Sequence, residues 1–221
     1  MGPKSPETAV PQNVTILTKR ITEGLGTVRE ITVRADNVGA QRWQEMLTAT
    51  QEDGKERGLI VYRSLLSHNK FSTSKISVGT AVENRSAHVT PQFEDIGVKG
   101  LISPVVAKIH THPRTPEIQH LKTTIPVDGD IQLFSNDGYS AMVVLDDGGA
   151  HLLIRTGESI MPEPPPGDLI SRAINEVAAK GGVVADVQKR MNAILSPYGI
   201  SYFYTETPAP AEDGTVTFGK P

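Results

Sequence analysis

The chain contains no cysteine. Disulfides and thiolate-bound metals are therefore excluded, and an ion could be held only by His, Asp or Glu side chains. Lack of cysteine suits any compartment and does not place the protein. No apolar stretch approaches the roughly 18 residues that a membrane span needs. The opening "MGPKSPETAVPQN" lacks the apolar core of a signal peptide, and Pro6 stands where a myristoylation signal would have Ser or Thr. It reads as a disordered leader over residues 1–13. Charge of either sign is scarce in excess: the net charge is -3, with no long basic run. That argues against nucleic acid or an anionic membrane as a partner. A cytoplasmic protein is the expectation, with secretion by a route independent of a signal peptide left open.

With 221 residues, 38% hydrophobic and 21% charged, the chain is long enough to bury a sizeable core. "NVTILTKRITEGLGTVREITVRADN" alternates apolar and polar residues around a Gly-rich break, as two short strands would. "VGAQRWQEMLTATQEDG" spaces Trp43, Met46, Leu47 and Ala49 along one helix face, with Gly54 as its stop. "ERGLIVYRSLL" predicts a buried strand, and "KFSTSKISVGTAV" a strand paired with it. "QFEDIGVKG" predicts a short helix or turn. From Pro113 to Pro126 the chain is polar with three prolines and reads as a loop. "DGDIQLFSNDG" opens a helix with Asp128 and Asp130 near its N-terminus, where carboxylates suit the helix dipole. "YSAMVVLDDGGAHLLIRTG" predicts a hairpin turning at Asp146-Asp147-Gly148-Gly149. Residues 161–167, "MPEPPPG", predict a stiff linker between a domain over 14–160 and a C-terminal helical extension and tail over 168–221. The helical pattern there breaks at Gly181-Gly182, with Ile170, Ile174, Val177 and Ala178 on one stripe and Val187, Met191, Ile194 and Leu195 on another. "ISYFYTET" suits a last strand, and the tail after it is expected to be loose.

The stretch with chemical content is "VVAKIHTHPRTP", residues 105–116. In a strand, side chains two apart share a face, so His110 and His112 project together. Val105, Ala107, Ile109 and Thr111 then face the other way, into a core. Pro113 cannot donate to a ladder, so the strand ends with both imidazoles at its rim. That arrangement suits two ligands on one zinc ion. A catalytic zinc takes about three protein ligands and an open position, and "PVDGDIQLF" offers Asp128 or Asp130 as the third. His68, His88, His120 and His151 have no comparable company.

The order of these features resembles the JAMM/MPN+ metalloprotease family, the JAB domain. Its motif is a Glu on an early strand, then His-x-His-Pro, then Ser-x-x-Asp opening a helix. The resemblance covers roughly residues 38 to 157, "AKIHTHP" being its most specific piece, and prokaryotic toxin-associated members look closest. It implies an α/β (α+β) fold, a central mixed β-sheet flanked by helices. It matches His110, His112 and Asp130 to the zinc ligands, with Asp130 preferred over Asp128 because an apolar residue, Ile131, follows it. It matches Glu56 in "KERGLIVYR", rather than Glu52, to the catalytic Glu. Two departures stand out. The 18 positions from His112 to Asp130 are roughly seven more than the motif uses, an insertion that a loop tolerates. The motif serine falls on Val127, and losing one such donor to the developing oxyanion costs about 100- to 1000-fold in turnover; Thr123, Thr124 and Ser135 are the hydroxyls that could substitute.

The resemblance implies a Zn2+-dependent metallopeptidase or isopeptidase. Glu56 would carry a proton from the attacking water to the leaving amine, and the bond cut would be an amide, often after a ubiquitin-like or other extended peptide tail. Two alternatives stand beside it: an MPN-like scaffold or binding module without peptidase activity, favoured by Val127, and a zinc-dependent toxin or effector domain. Oligomeric state is left open.

Overall fold

The computed structural model describes residues 14–15, 25, 28–64, 70–79, 105–113, 125–156, 161 and 163–221. The expected leader, the "QFEDIGVKG" turn, most of the Pro-rich loop, and His68, His88 and His120 lie outside them. The fold is a mixed α+β arrangement in which one curled sheet is flanked by helices. Its strands are β1 (Val14–Thr15), β2 (Glu30–Arg34), β3 (Arg57–Arg63), β4 (Phe71–Thr73), β5 (Ser77–Val78), β6 (Val105–Thr111), β7 (Ala141–Asp146), β8 (Gly149–Arg155), β9 (Ile200–Thr205) and β10 (Thr215–Gly219). The order across the sheet is β1-β2-β10-β9-β8-β7-β6-β3-β4, with β5 also on β3. β1/β2 and β6/β7 are parallel pairs and the other pairings are antiparallel.

β7, "AMVVLD", lies at the centre and is buried along its whole length, which is why it reads as a continuous apolar run. Ala141, Val143 and Leu145 point to one core with Leu59, Val61, Ala107 and Ile109. Helix α1 (Trp43–Asp53) fills that side through Trp43, Met46 and Leu47. The sheet curls around it far enough that Trp43 meets Phe218 of β10 edge to face, ring centroids 6.3 Å apart. Ala49, placed on this face by spacing, is only partly covered; Thr50 takes the buried position. Gly54 ends the helix in the left-handed conformation at φ 69°, as expected of a glycine stop.

Met142, Val144 and Leu153 point the other way, to a second core covered by α2 (Asp128–Asn136), α3 (Leu169–Ala179) and α4 (Val184–Leu195). The break at Gly181-Gly182 separates α3 from α4, and the predicted stripes are the buried ones: Ile170, Ile174 and Val177, then Val187, Met191 and Leu195. The β7/β8 hairpin turns through Asp147-Gly148. Gly149 sits at φ 155°, and a Cβ there would meet the Thr205 carbonyl oxygen at 2.1 Å, so this close approach to β9 needs glycine.

Three expectations are corrected. The tail is not loose: β10 pairs along its length with β2 and joins the N-terminal strands to β9. Its alternation "TVTF" is short and follows a Gly- and Pro-rich stretch, so the sequence pattern is weak. Strands from both sides of segment 161–167 lie in one sheet, so 168–221 supplies β9, as "ISYFYTET" suggested, and β10 to that sheet besides its two helices. Pro165 in that segment is buried, its carbonyl accepting from the Gln132 side chain. Finally, "KFSTSKISV" forms two short strands rather than one, because Ser74 Oγ interrupts the ladder by accepting from the Ile60 N–H at 3.1 Å. Among the described residues no helix is long and apolar enough to cross a membrane.

Because Phe218 ties the C-terminal strand to α1, Phe218→Ala should cost the whole chain about 3–5 kcal/mol. Urea unfolding measures this. A loss below about 1 kcal/mol would mean that β10 is not part of the cooperative core.

Candidate metal centre

β6 carries His110 on the face covered by α2, and the parallel pairing with β7 continues past the strand's end, His112 N–H donating to the Leu145 carbonyl at 2.8 Å. Both imidazoles are thereby held against the sheet before Pro113 ends the ladder. Opposite them the first turn of α2 presents Asp130. Its Oδ1 lies 2.9 Å from His110 Nε2 and its Oδ2 3.4 Å from His112 Nε2. The two Nε2 atoms are 3.3 Å apart. One donor atom from each of the three residues lies within 4.8 Å of the others, and the group could hold a metal ion. Asp130 is fixed from behind: the Val127 N–H donates to its Oδ2 at 2.7 Å, satisfying one free amide of the helix start.

The electrostatics follow from burial and proximity. Burial pushes the Asp130 carboxyl up, but the two imidazoles outweigh it and hold the group well below the usual carboxylate range. Burial lowers His110 despite Asp130. In His112 burial is outweighed by Asp130, Glu56 and Asp146, and the ring is raised. The Nδ1 of His110 is buried with no hydrogen-bond partner among the described residues.

Glu56 stands just before β3, half-buried. β3 runs antiparallel to β6 with Gly58 opposite His110, so the start of one strand lies beside the end of the other. Burial first, and Asp130 next to it, push the Glu56 carboxyl up to about 7 against the pull of His112. Glu52, the alternative, is exposed on α1. Asp128 points elsewhere: its Oδ1 accepts from Ile170 N–H at 2.7 Å and its Oδ2 from Ser171 N–H at 2.9 Å, with the Ser171 hydroxyl also bound. It caps α3, a helix some forty residues later, which local sequence could not show.

Val127 lies at the start of α2 with no side-chain donor. Ser135 is on α2 five residues past Asp130, so it lies about 140° around the helix; its hydroxyl is buried with no partner among the described residues. Thr123 and Thr124 lie outside the described residues.

Three further groups escaped the sequence reading. Lys108, two residues before His110 and on the same face, is buried with its ammonium 3.6 Å from Asp137, at the end of α2. Period two could have flagged it. His151 is fully buried, Nε2 2.8 Å from Asp146 Oδ2 and Nδ1 2.8 Å from the Tyr202 hydroxyl, so it has company after all. Thr111 joins β6 to α1 and β3 through its hydroxyl.

Compared with protein-family models, curated proteins and solved structures, the chain finds no match in any of the three.

Asp130→Ala should abolish metal retention, whereas Asp128→Ala should keep the metal and cost about 1–2 kcal/mol by uncapping α3. Metal analysis with thermal melts of both variants separates them, and the opposite pattern would exchange their roles. Glu56 also has a pH signature. A carboxyl raised in the folded state from 4.5 to about 7 binds its proton more readily folded than unfolded. Its contribution to stability is complete below the lower value and is lost as pH rises through the higher one. In metal-free protein Glu56→Gln should flatten that decline, measured by denaturation across the window. An unchanged slope would show Glu56 to be freely solvated.

Proposed function

We propose that the chain is a Zn2+-dependent hydrolase of amide bonds, a peptidase or isopeptidase of the JAMM/MPN+ type. The observation that carries this reading is the triangle of His110, His112 and Asp130 with Glu56 beside it. A tetrahedral zinc with bonds of about 2.0–2.1 Å holds neighbouring ligand atoms about 3.3 Å apart. The two Nε2 atoms stand at that spacing, 3.3 Å apart, and Asp130 comes within 2.9 Å of one through Oδ1 and 3.4 Å of the other through Oδ2, with one donor atom from each residue inside 4.8 Å of the others. Two imidazoles and one carboxylate are also the donor types zinc takes without cysteine.

His110, His112 and Asp130 would hold the ion, which would supply Lewis acidity toward a carbonyl and make bound water more acidic. The chain's own residues do the rest. Glu56, half-buried just before β3 and beside the histidines, would take the proton from the attacking water and return it to the leaving amine. Lys108 and Asp137 hold the far end of α2 to β6, so Asp130 stays aimed at the histidines. Support for the family reading comes from the motif order, from Glu56 and Asp130 lying with the histidines while Glu52 and Asp128 do not, and from the mixed sheet flanked by helices. A peptide or protein with an extended, ubiquitin-like tail is the substrate class it implies. Val127 favours a second reading, a scaffold that holds metal but turns over slowly or not at all.

Elemental mass spectrometry of protein offered zinc should find about one zinc per chain, lost in His110→Ala/His112→Ala. Glu56→Gln should keep the zinc and lower hydrolysis of a fluorogenic peptide-amide library by about 100- to 10,000-fold. No zinc in either protein would overturn the metal reading. Zinc without amide cleavage would put the scaffold first.

A further inference from the structure

Thr111 stands between the two histidines, and by strand alternation its side chain lies on the opposite face, toward α1. There the hydroxyl is fully buried. Thr50 Oγ1 of α1 lies 2.6 Å from it, and the Arg57 backbone N–H donates to it at 2.8 Å. The last backbone pair of β3 with β6 is Gly58 with His110, so Arg57 is one position beyond it. Where the ladder stops, the Thr111 hydroxyl takes up the next amide. The nitrogen it holds belongs to the Glu56–Arg57 peptide, and the carbonyl of that same peptide accepts from the Gly79 N–H at 2.9 Å. Both polar groups of the peptide that carries Glu56 are thus anchored. The Arg57 guanidinium braces the same corner through both Asp53 oxygens at 2.8 Å and the Lys55 carbonyl at 2.9 Å.

Strand packing asks only for a β-branched shape at this position, which valine also has. The hydroxyl serves something else. We infer that Thr111 is a positioning residue: its hydroxyl sets the Glu56 peptide against the end of β6, and so fixes the base relative to His110, His112 and Asp130. This rests on the reading of Glu56 as the proton carrier. It places the alignment of base and metal ligands in one residue that belongs to neither.

The test is amide hydrogen exchange by NMR on the full chain loaded with zinc. Thr111→Val should speed exchange at Arg57 and Gly79 by about tenfold, the worth of roughly one hydrogen bond. Amides of the β7/β8 hairpin and zinc affinity should not change. Thr111→Ser, which restores the hydroxyl, should return both amides to wild-type protection. Unchanged exchange at Arg57 in the valine variant overturns the inference, as does a serine variant that behaves like valine. Thr111→Ala is read the same way if valine does not fold. On any amide the chain cleaves, Thr111→Val should lower kcat with little change in KM and add nothing to Glu56→Gln; independent losses overturn the route through Glu56. Exchange and zinc affinity are read without turnover, so this inference and the amide-hydrolase reading fail separately.

Discussion

A buried carboxylate must be shared among enough partners to remain charged, and Asp130 is the place where that requirement organises the molecule. Removing such a group from water costs several kcal/mol unless hydrogen bonds and opposite charge offset it. Two imidazoles and the Val127 amide provide the offset. Those partners come from β6 and from the first turn of α2, so the carboxylate can be satisfied only with that turn seated over the strand's end. Two residues earlier Asp128 fastens the same turn to the start of α3. The 128–130 turn is therefore where β6, α2 and α3 meet, and each of its two carboxylates does a different part of the work.

The opposite end of α2 is held just as firmly. The Arg155 guanidinium reaches the carbonyls of Phe134, Ser135 and Asp137, and the Lys108 ammonium lies beside the Asp137 carboxylate. A cation at a helix C-terminus also complements its dipole. With both ends tied to the sheet, the helix cannot slide, and the three side chains that could hold a metal are fixed by the fold's own contacts. Such preorganisation is what a polar site needs if it is not to spend binding energy on rearrangement.

The sheet makes its own contribution. Parallel β6 and β7 together with antiparallel β3 put a strand start beside a strand end, so Glu56 meets the histidines although some fifty residues separate them in the chain. The Thr111 hydroxyl sits at that seam. On the outer side of the seam Asp146 binds His151 and two amides of the hairpin turn, and its charge reaches His112. The corner is thus built from residues in and beside β3, β6, β7 and α1, with Asp130 of α2 opposite them.

Short-range pattern alone carried the helices, the central hairpin and the projection of His110 and His112 from one strand, because periods of 2.0 and 3.6 are properties of the local backbone. It carried α1 with its glycine stop, and the stripes of α3 and α4, for the same reason. Periodicity could name Asp128 and Asp130, and Glu52 and Glu56, only as pairs; the preference for Asp130 and Glu56 came from the family resemblance. Each pair differs by less than the uncertainty of an element boundary, and one residue's shift turns a side chain to another face. In the tertiary structure the members of each pair stand apart: Asp130 faces the imidazoles while Asp128 caps α3, and Glu56 is half-buried while Glu52 is exposed. The same holds for β10, whose four alternating residues are too few to declare a strand until β2 supplies the ladder. It also holds for His151, whose partners Asp146 and Tyr202 come together only across paired strands. Composition and pattern are summed along the chain, whereas a site is a sum over space, and only the fold converts one into the other.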